Sequence, residues 1–271
     1  MMPKLSIITI CYNEPRLEDT CKSIVNQTWQ DFEWIVIDGG SGEETQKIFD
    51  KYKYRINKFI SEPDNGRYSA MNKGIRLANG EWLNFMNAGD YFHYNNALKD
   101  VFENKTYAAG ILYANEKFIT DNMPIVETVP ESVGSRYFIN NTIRHQSSFI
   151  KRNLFDKYGL YNENLQIFSD HEKWIQFSQG KEIFQYLPYI IACFNLGGIS
   201  AANSQKHKKE KIDTIKKYYT IEQLNQVENE YEKKYPINFS LLERIFSIKN
   251  SKLYIYKIVS ILGWKFKIKH V

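Results

Sequence analysis

The chain has 271 residues, 43% hydrophobic and 25% charged, which suits one sizeable core with at most a modest appendage. Its three cysteines, Cys11, Cys21 and Cys193, form no C-x-x-C pair; this argues against a disulfide framework or a structural zinc site and fits a reducing cytoplasm. The formal charge of +5 is unevenly spread: residues 201–271 carry 15 Lys/Arg and 7 Asp/Glu, while the other residues carry 21 and 24. Such an imbalance points the tail toward an anionic surface, either lipid or nucleic acid. Residues 1–10 do not read as a signal peptide. No apolar run approaches the roughly 20 residues that span a bilayer.

Residues 5–10 form a nearly continuous apolar run, the pattern of a strand buried on both faces. Asn13-Glu14-Pro15 breaks it, and Leu17, Cys21, Ile24 and Val25 then recur at helical spacing. Residues 32–37 predict a second strand, followed by a short helix with Ile48, Phe49 and Tyr52 on one face. Residues 58–61 predict a third strand, and Met71, Ile75 and Ala78 mark a third helix stopped by Gly80. Residues 81–86 predict a fourth strand, and 108–130 a β-ribbon or irregular structure. Helices are expected at 152–158 and 170–180, with one or two strands at 183–194 interrupted by Pro188. Beyond residue 204 the pattern turns helical and basic. Thr220-x-x-Gln223 and Ser240-x-x-Glu243 have the form of capping boxes, and Ile221, Leu224, Val227 and Tyr231 form an apolar stripe.

Alternating strands and helices imply a doubly wound α/β sheet, mostly parallel. The first four strands each end in a polar turn, and ligands of open α/β sheets bind beyond the carboxyl ends of the strands. All four turns are therefore expected on one rim. That rim is acidic, through Glu14, Asp38, Asp64 and Asp90, and it lacks both the Gly-x-Gly-x-x-Gly and the Gly-Lys-Ser/Thr phosphate loops. Acidic groups hold a diphosphate only with a divalent cation between them, and hard oxygen ligands select Mg2+ or Mn2+.

The turns also carry a resemblance. Thr9-Ile10-Cys11-Tyr12-Asn13-Glu14, Val36-Ile37-Asp38-Gly39-Gly40-Ser41, Ser61-Glu62-Pro63-Asp64-Asn65-Gly66, Ala70-Met71-Asn72-Lys73-Gly74 and Asn87-Ala88-Gly89-Asp90 follow the motif order of the family-2 glycosyltransferases. The order continues through His145-Gln146-Ser147, Ser169-Asp170-His171-Glu172 and Gly197-Gly198-Ile199-Ser200, so the resemblance covers residues 3–203. Each motif is short; their order is what makes them specific. The resemblance implies the GT-A fold, an inverting reaction, a nucleotide-sugar donor (UDP-linked first), and Mn2+ or Mg2+ as cofactor. Bacterial surface-polysaccharide transferases, such as those for colanic acid and other capsules, are the subgroup it points to.

On this resemblance Thr9, Tyr12 and Glu14 grip the nucleoside, and Asp38 hydrogen-bonds the base. Asp64 borders the donor, and Arg67 pairs with Asp64 or with a phosphate. Asp90 takes the last acidic place of the metal-binding D-x-D motif, with Asn87 where the first acid stands. Ser69 departs from the Asp found in many relatives, which leaves one donor contact open. Asp170 takes the place of the base that deprotonates the acceptor hydroxyl. His145, Gly198 and Ser200 fall where acceptor or phosphate contacts are made. Plainer roles stay open: Asp38 and Asn87 as turn residues, His145 as a structural histidine, and Asp170 as a helix N-terminal carboxylate favoured by the dipole.

Residues 1–203 are thus expected to form the catalytic domain, and 204–271 a helical, basic extension. Residues 249–271 mix lysines with Tyr254, Trp264 and Phe266, as a helix lying on anionic lipid does. A peripheral place at the inner face of the cytoplasmic membrane follows, with a polyprenyl-diphosphate-linked saccharide as acceptor. A nucleotidyltransferase is the rival enzyme; the acidic first turn counts against it. A nucleic-acid-binding module is the non-enzyme rival. The acidic rim disfavours it, since phosphate backbones need basic tracks, so no nucleic-acid partner is expected.

Overall fold

β1 (Leu5–Cys11) is the hinge of the architecture, in a computed structural model that describes residues 2–119, 124–195 and 205–234. Its side chains are buried on both faces because helices cover both sides of the sheet. α1 (Leu17–Val25) follows and turns Leu17, Thr20, Cys21 and Ile24 inward. β2 (Phe32–Asp38) is buried along its whole length and runs parallel to β1, with Cys11 opposite Asp38. After α2 (Glu43–Tyr52) comes β3 (Lys58–Ser61), the outermost strand on this side, where burial alternates as expected of a strand covered on one face.

α3 (Arg67–Leu77) buries residues nearly all round, from Tyr68 through Ile75, because it is caught between the sheet and later helices. Gly74 lets it approach closely: a Cβ there would fall 2.4 Å from Ile8 Cγ2. β4 (Trp82–Phe85) pairs parallel with β1, Ile8 facing Phe85. The chain order therefore reverses between β1 and β4, and the crevice beyond their carboxyl ends is the switch point of the sheet.

The second half extends the sheet. β5 (Tyr91–Phe92), α4 (Ala97–Phe102), β6 (Ile111–Ile119) and β7 (Ile125–Glu127) come first. α5 (Tyr137–Asn140), a 3-10 turn at His145–Ser147, β8 (Ser148–Lys151) and α6 (Asn153–Tyr158) follow. α7 (Ser169–Gln179), β9 (Phe184–Asn195), α8 (Gln205–Tyr218) and α9 (Ile221–Lys234) complete the described elements. The strand order is β3-β2-β1-β4-β8-β6-β9-β5, with β7 beside β6. β8 runs antiparallel to β4 and β6, and β5 antiparallel to β9; the pairs β1–β2, β2–β3, β1–β4 and β6–β9 are parallel.

The ribbon expected at 108–130 is β6 with β7, an antiparallel pair. Pro188 does not divide the last strand. It sits in a bulge of β9, between Leu187 opposite Ala114 and Ile190 opposite Asn115, where a missing N–H is tolerated. β5, β8 and α4 are too short to leave a periodic signature in the sequence. The Thr220 capping box forms reciprocally, Thr220 Oγ1 accepting from Gln223 N and Gln223 Oε1 from Thr220 N. Of the expected stripe, Leu224 is buried and Val227 packs beside it, while Ile221 is 77% exposed. α8 and α9 share the core of the preceding helices through Ile215, Tyr219 and Leu224. The second capping box, Gly198, Ser200 and the basic stretch 249–271 lie outside the described residues. Among the described residues no helix is long and apolar enough to cross a membrane. All three cysteines are buried and unpaired.

Gly80 is the tightest constraint at the base of β1. A Cβ there would lie 2.5 Å from the Ser6 backbone nitrogen, and its own N–H already donates to Ser6 Oγ at 2.8 Å. Backbone cannot swing aside as a side chain can. Gly80→Ala is expected to destabilise the fold by about 1–3 kcal/mol. The check is urea denaturation with the m-value held constant; an unchanged midpoint would refute the clash.

Candidate functional site

The rim expected from the sequence forms, and it is tied together by the turns themselves. Gly39 N donates to Cys11 O at 2.8 Å, Asn13 N to Ser41 Oγ at 2.8 Å, and Gly42 N to Asn13 Oδ1 at 2.8 Å. Ala88 N donates to Ile10 O at 3.0 Å, which brings the fourth turn beside the first. Tyr12 is 70% exposed and lies against Gly39, free to present its ring to a flat ligand. Glu14 curls over Gly89. A Cβ on that residue would fall 3.1 Å from the Glu14 carboxyl carbon, and its φ of +94° also demands glycine. Arg16 Nε donates to Glu14 Oε1 at 2.9 Å.

Two of the expected nucleoside residues face inward. Thr9 is fully buried, and its hydroxyl accepts from Trp34 Nε1 at 3.0 Å; alternation along β1 sends it into the core, away from the rim. Asp38 is also fully buried. Its oxygens accept from Ser41 N and Oγ, Gln46 Nε2 at 2.7 Å and Ser61 Oγ at 2.6 Å, so it sets the shape of the turn beneath Tyr12. The cation paired with Asp64 is Lys73, at 2.6 Å, rather than Arg67. Arg67 instead lines a cleft of about 350 Å3 with Asn65, Tyr68, Glu163 and Gln166.

The remaining candidates converge from distant parts of the chain. Asn87 Nδ2 stands 3.0 Å from His145 Nε2, and His145 Nδ1 2.9 Å from Asp170 Oδ2. With Asp170 ionised, the imidazole donates from Nδ1 and accepts at Nε2. Asp170 Oδ1 accepts from the Tyr68 hydroxyl at 3.0 Å and the His171 N–H at 2.8 Å. Gln146, the neighbour of His145, donates from Nε2 to Asp90 Oδ2 at 2.8 Å. Asn84 on β4 anchors this corner, donating to the carbonyls of Gln146 and Ser148. Glu172 is distinguished from Asp170 by its partners. It points away, accepting from Lys217 Nζ at 2.8 Å and the Tyr218 hydroxyl at 2.9 Å.

The two acids of this corner are driven in opposite directions. Burial pushes the Asp90 carboxyl up to about 6, against the opposing pull of the Gln146 hydrogen bond. Burial acts the same way on Asp170, but the hydrogen bonds from His145, the His171 N–H and the Tyr68 hydroxyl outweigh it and hold Asp170 down at about 2. Asp170 keeps 20% of its side chain exposed, so an ionised carboxylate faces the rim. Behind Asp90 lies a second buried acid, Glu116, pushed well above the usual carboxylate range by burial; Arg144 Nε stands 3.7 Å from it.

A hard cation fits this corner. Asp90 is a carboxylate whose burial outweighs the pull of the groups around it, and Asn87 Oδ1 and Gln146 Oε1 are buried oxygens with no hydrogen-bond partner. All are oxygen donors, as Mg2+ and Mn2+ require. Among the described residues no three His, Cys, Asp or Glu side chains converge as a metal cage, so these oxygens would hold an ion only together with a bound ligand or water. The residues that sequence reasoning passed over are neighbours of those it named: Gln146 beside His145, Tyr68 beside Arg67, and Lys73 within a quoted motif.

The chain matches the family described as glycosyl transferase family 2 over residues 6–178. The PGL/p-HBAD biosynthesis glycosyltransferase of Mycobacterium tuberculosis is 30% identical over 206 residues, 73% of this chain and 79% of its own. An uncharacterized glycosyltransferase of Methanocaldococcus jannaschii is 26% identical over 240 residues, 81% of this chain and 78% of its own. The fold is shared with S. aureus TarS 1-349, solved in complex with UDP, at a TM-score of 0.65 and 17% identity over 96% of this chain and 79% of that one. The mannosyltransferase PcManGT of Pyrobaculum calidifontis, solved with GDP-Man and Mn2+, has a TM-score of 0.60 and 13% identity over 97% of this chain and 75% of that one. The sheet is thus of the GT-A type, and the protein belongs to glycosyl transferase family 2.

Proposed function

We propose that the chain is an inverting transferase that moves a sugar from a nucleotide-sugar donor, UDP-linked first, to a lipid-linked saccharide hydroxyl in surface-polysaccharide assembly. The hydrogen-bonded line from Asn87 through His145 to Asp170 carries this reading, because it sets an ionised carboxylate beside an oxygen-rich, charge-poor corner. Tyr12 would stack on the base and Glu14 would accept from ribose hydroxyls, on the turn that Asp38 shapes. Asp64 and Arg67 would border the donor. Asp90 and the Asn87 and Gln146 amide oxygens would hold Mn2+ or Mg2+, which neutralises the leaving diphosphate when bound. The UDP, UDP-GlcNAc and GDP-Man complexes of relatives in fold support a nucleotide-sugar donor.

Asp170 would take the proton of the acceptor hydroxyl as that oxygen attacks the anomeric carbon and the bond to the diphosphate breaks on the opposite face. His145 orients Asp170 from one side and Tyr68 from the other. Asp170→Asn is expected to lower kcat by about 10²–10⁴-fold with nucleotide affinity unchanged. His145→Ala removes an orienting donor but leaves the base, so its loss should be the smaller. Rates measured for both variants decide this: an equal or greater loss in His145→Ala would transfer the proton-accepting role to the imidazole.

Calorimetric titration with UDP, GDP and dTDP, each in Mn2+ and in EDTA, tests the donor class. UDP is expected to bind in a metal-dependent way, and Asp90→Ala should remove the difference between Mn2+ and EDTA. Binding that ignores the metal in the native protein would remove the ion from Asp90.

The excess charge of residues 201–271 supports a peripheral place on anionic lipid at the inner face of the cytoplasmic membrane. The full chain should float with anionic liposomes, and a chain ending at Lys249 should stay in the soluble fraction. Equal flotation of both forms would exclude the tail as the contact.

A further inference from the structure

We propose that α8 straps the helix that carries Asp170, and that Glu210 is the positioning residue through which it acts on transfer. The proposal rests on Asp170 as the base. Glu210 is a buried carboxylate, 8% exposed, on a helix distant in sequence from every motif of the rim. Its two oxygens accept from two consecutive backbone N–H groups, Gln166 at 2.9 Å and Ile167 at 3.0 Å. These residues form the approach to α7, and a carboxylate on paired amides makes charge-assisted bonds stronger than neutral ones. The Tyr68 hydroxyl has one proton to give and shares it between the Ile167 carbonyl, 2.5 Å away, and Asp170 Oδ1, 3.0 Å away. Glu210, the 166–167 backbone, Tyr68 and Asp170 are thus one connected line of polar contacts, with the Tyr68 proton shared at its last step.

The rest of α8 grips the same helix further along. Lys217 and Tyr218 bond to Glu172, Gln176 Nε2 donates to the Tyr218 hydroxyl at 2.7 Å, and Gln179 Nε2 donates to the Tyr218 carbonyl at 2.8 Å. α7 is therefore fixed at its approach, its first turn and its last. Loss of the Glu210 carboxylate leaves two amides without their acceptor, frees the Ile167 carbonyl from its place, and lets Tyr68 and Asp170 drift. Displacements of about 1 Å at a reacting group cost rate on the order of a hundredfold, although nothing that touches the donor has changed.

The test compares the full-length native protein with Glu210→Ala, Glu210→Gln, Tyr68→Phe and the Glu210→Ala/Tyr68→Phe double variant. Amide hydrogen exchange over residues 162–172 needs no substrate. Turnover is read as UDP released from UDP-glucose, UDP-galactose and UDP-N-acetylglucosamine with Mn2+, and nucleotide affinity by calorimetry with UDP and Mn2+. Glu210→Ala should speed exchange at 166–172 by about tenfold or more, with the β1 and β2 turns unaffected. Its kcat should fall by about tenfold to a hundredfold, with UDP affinity within about twofold. Glu210→Gln, which keeps one acceptor oxygen and the side-chain length, should recover part of both. In the Tyr68→Phe background the further loss in kcat should shrink to under about threefold, since residues acting in one line are not additive. Unchanged exchange, fully multiplicative losses, or UDP affinity falling in step with kcat would each overturn the proposal. Normal turnover in Asp170→Asn would remove the base assignment, whereas coupled exchange across 166–172 would survive that result.

Discussion

The parallel pairing of β1 with both β2 and β4 is the constraint on which the rest of the molecule rests. It fixes Cys11 beside Asp38 and Ile8 beside Phe85, so three strands deliver their ends to one edge at nearly one height. The turns that follow have no freedom to separate, and they lock through their own side chains, Asn13 to Gly42 and Ser41 to Asn13. Close approach is then obligatory, which explains glycine at position 89 under Glu14. The rim is a product of strand register first and of side-chain chemistry second.

That chemistry depends on one corner where two carboxylates experience opposite environments. At Asp90 burial outweighs the groups that favour its charged form, and at Asp170 the donors aimed at its charged form outweigh burial. Two acids separated in this way are suited to different tasks, the buried one to a cation and the ionised one to the proton-accepting role proposed for Asp170. The histidine between Asn87 and Asp170 is part of this arrangement, since a single imidazole serves both sides with its two nitrogens.

Much of this was legible in the sequence, for identifiable reasons. The strands 5–11, 32–38, 58–61 and 82–85 announce themselves by apolar runs that end in polar turns, because both sheet faces are covered. The second half was less legible: β5, with two residues, and β8, with four, are held by their neighbours and carry no period of their own. Within the site, residues marked by motif were placed on the rim where their strand ended there, as with Tyr12, Glu14, Asn87 and Asp90. Thr9 and Asp38 stand in the same motifs but point into the protein, a distinction set by strand alternation and by the company of Trp34, Ser61 and Gln46. Partners such as Lys73 for Asp64, or Gln146 for Asp90, require knowing which turns meet in space. Glu210 offers no sequence signal at all, because its role is defined by two backbone amides 43 and 44 residues away.

The buried cysteines have a consequence for handling the protein. Burial drives the Cys11 thiol up to about 11 and the Cys21 thiol up to about 12, so in the native state neither supplies the thiolate on which alkylation and oxidation depend. Both sit in the core beside the first strand, Cys11 at its end and Cys21 on the helix that covers it. A thiol reagent at neutral pH therefore meets these two groups only in molecules whose first strand–helix unit has opened. Their labelling rate is a built-in clock for opening at the foundation of the rim, readable without adding a probe to the chain.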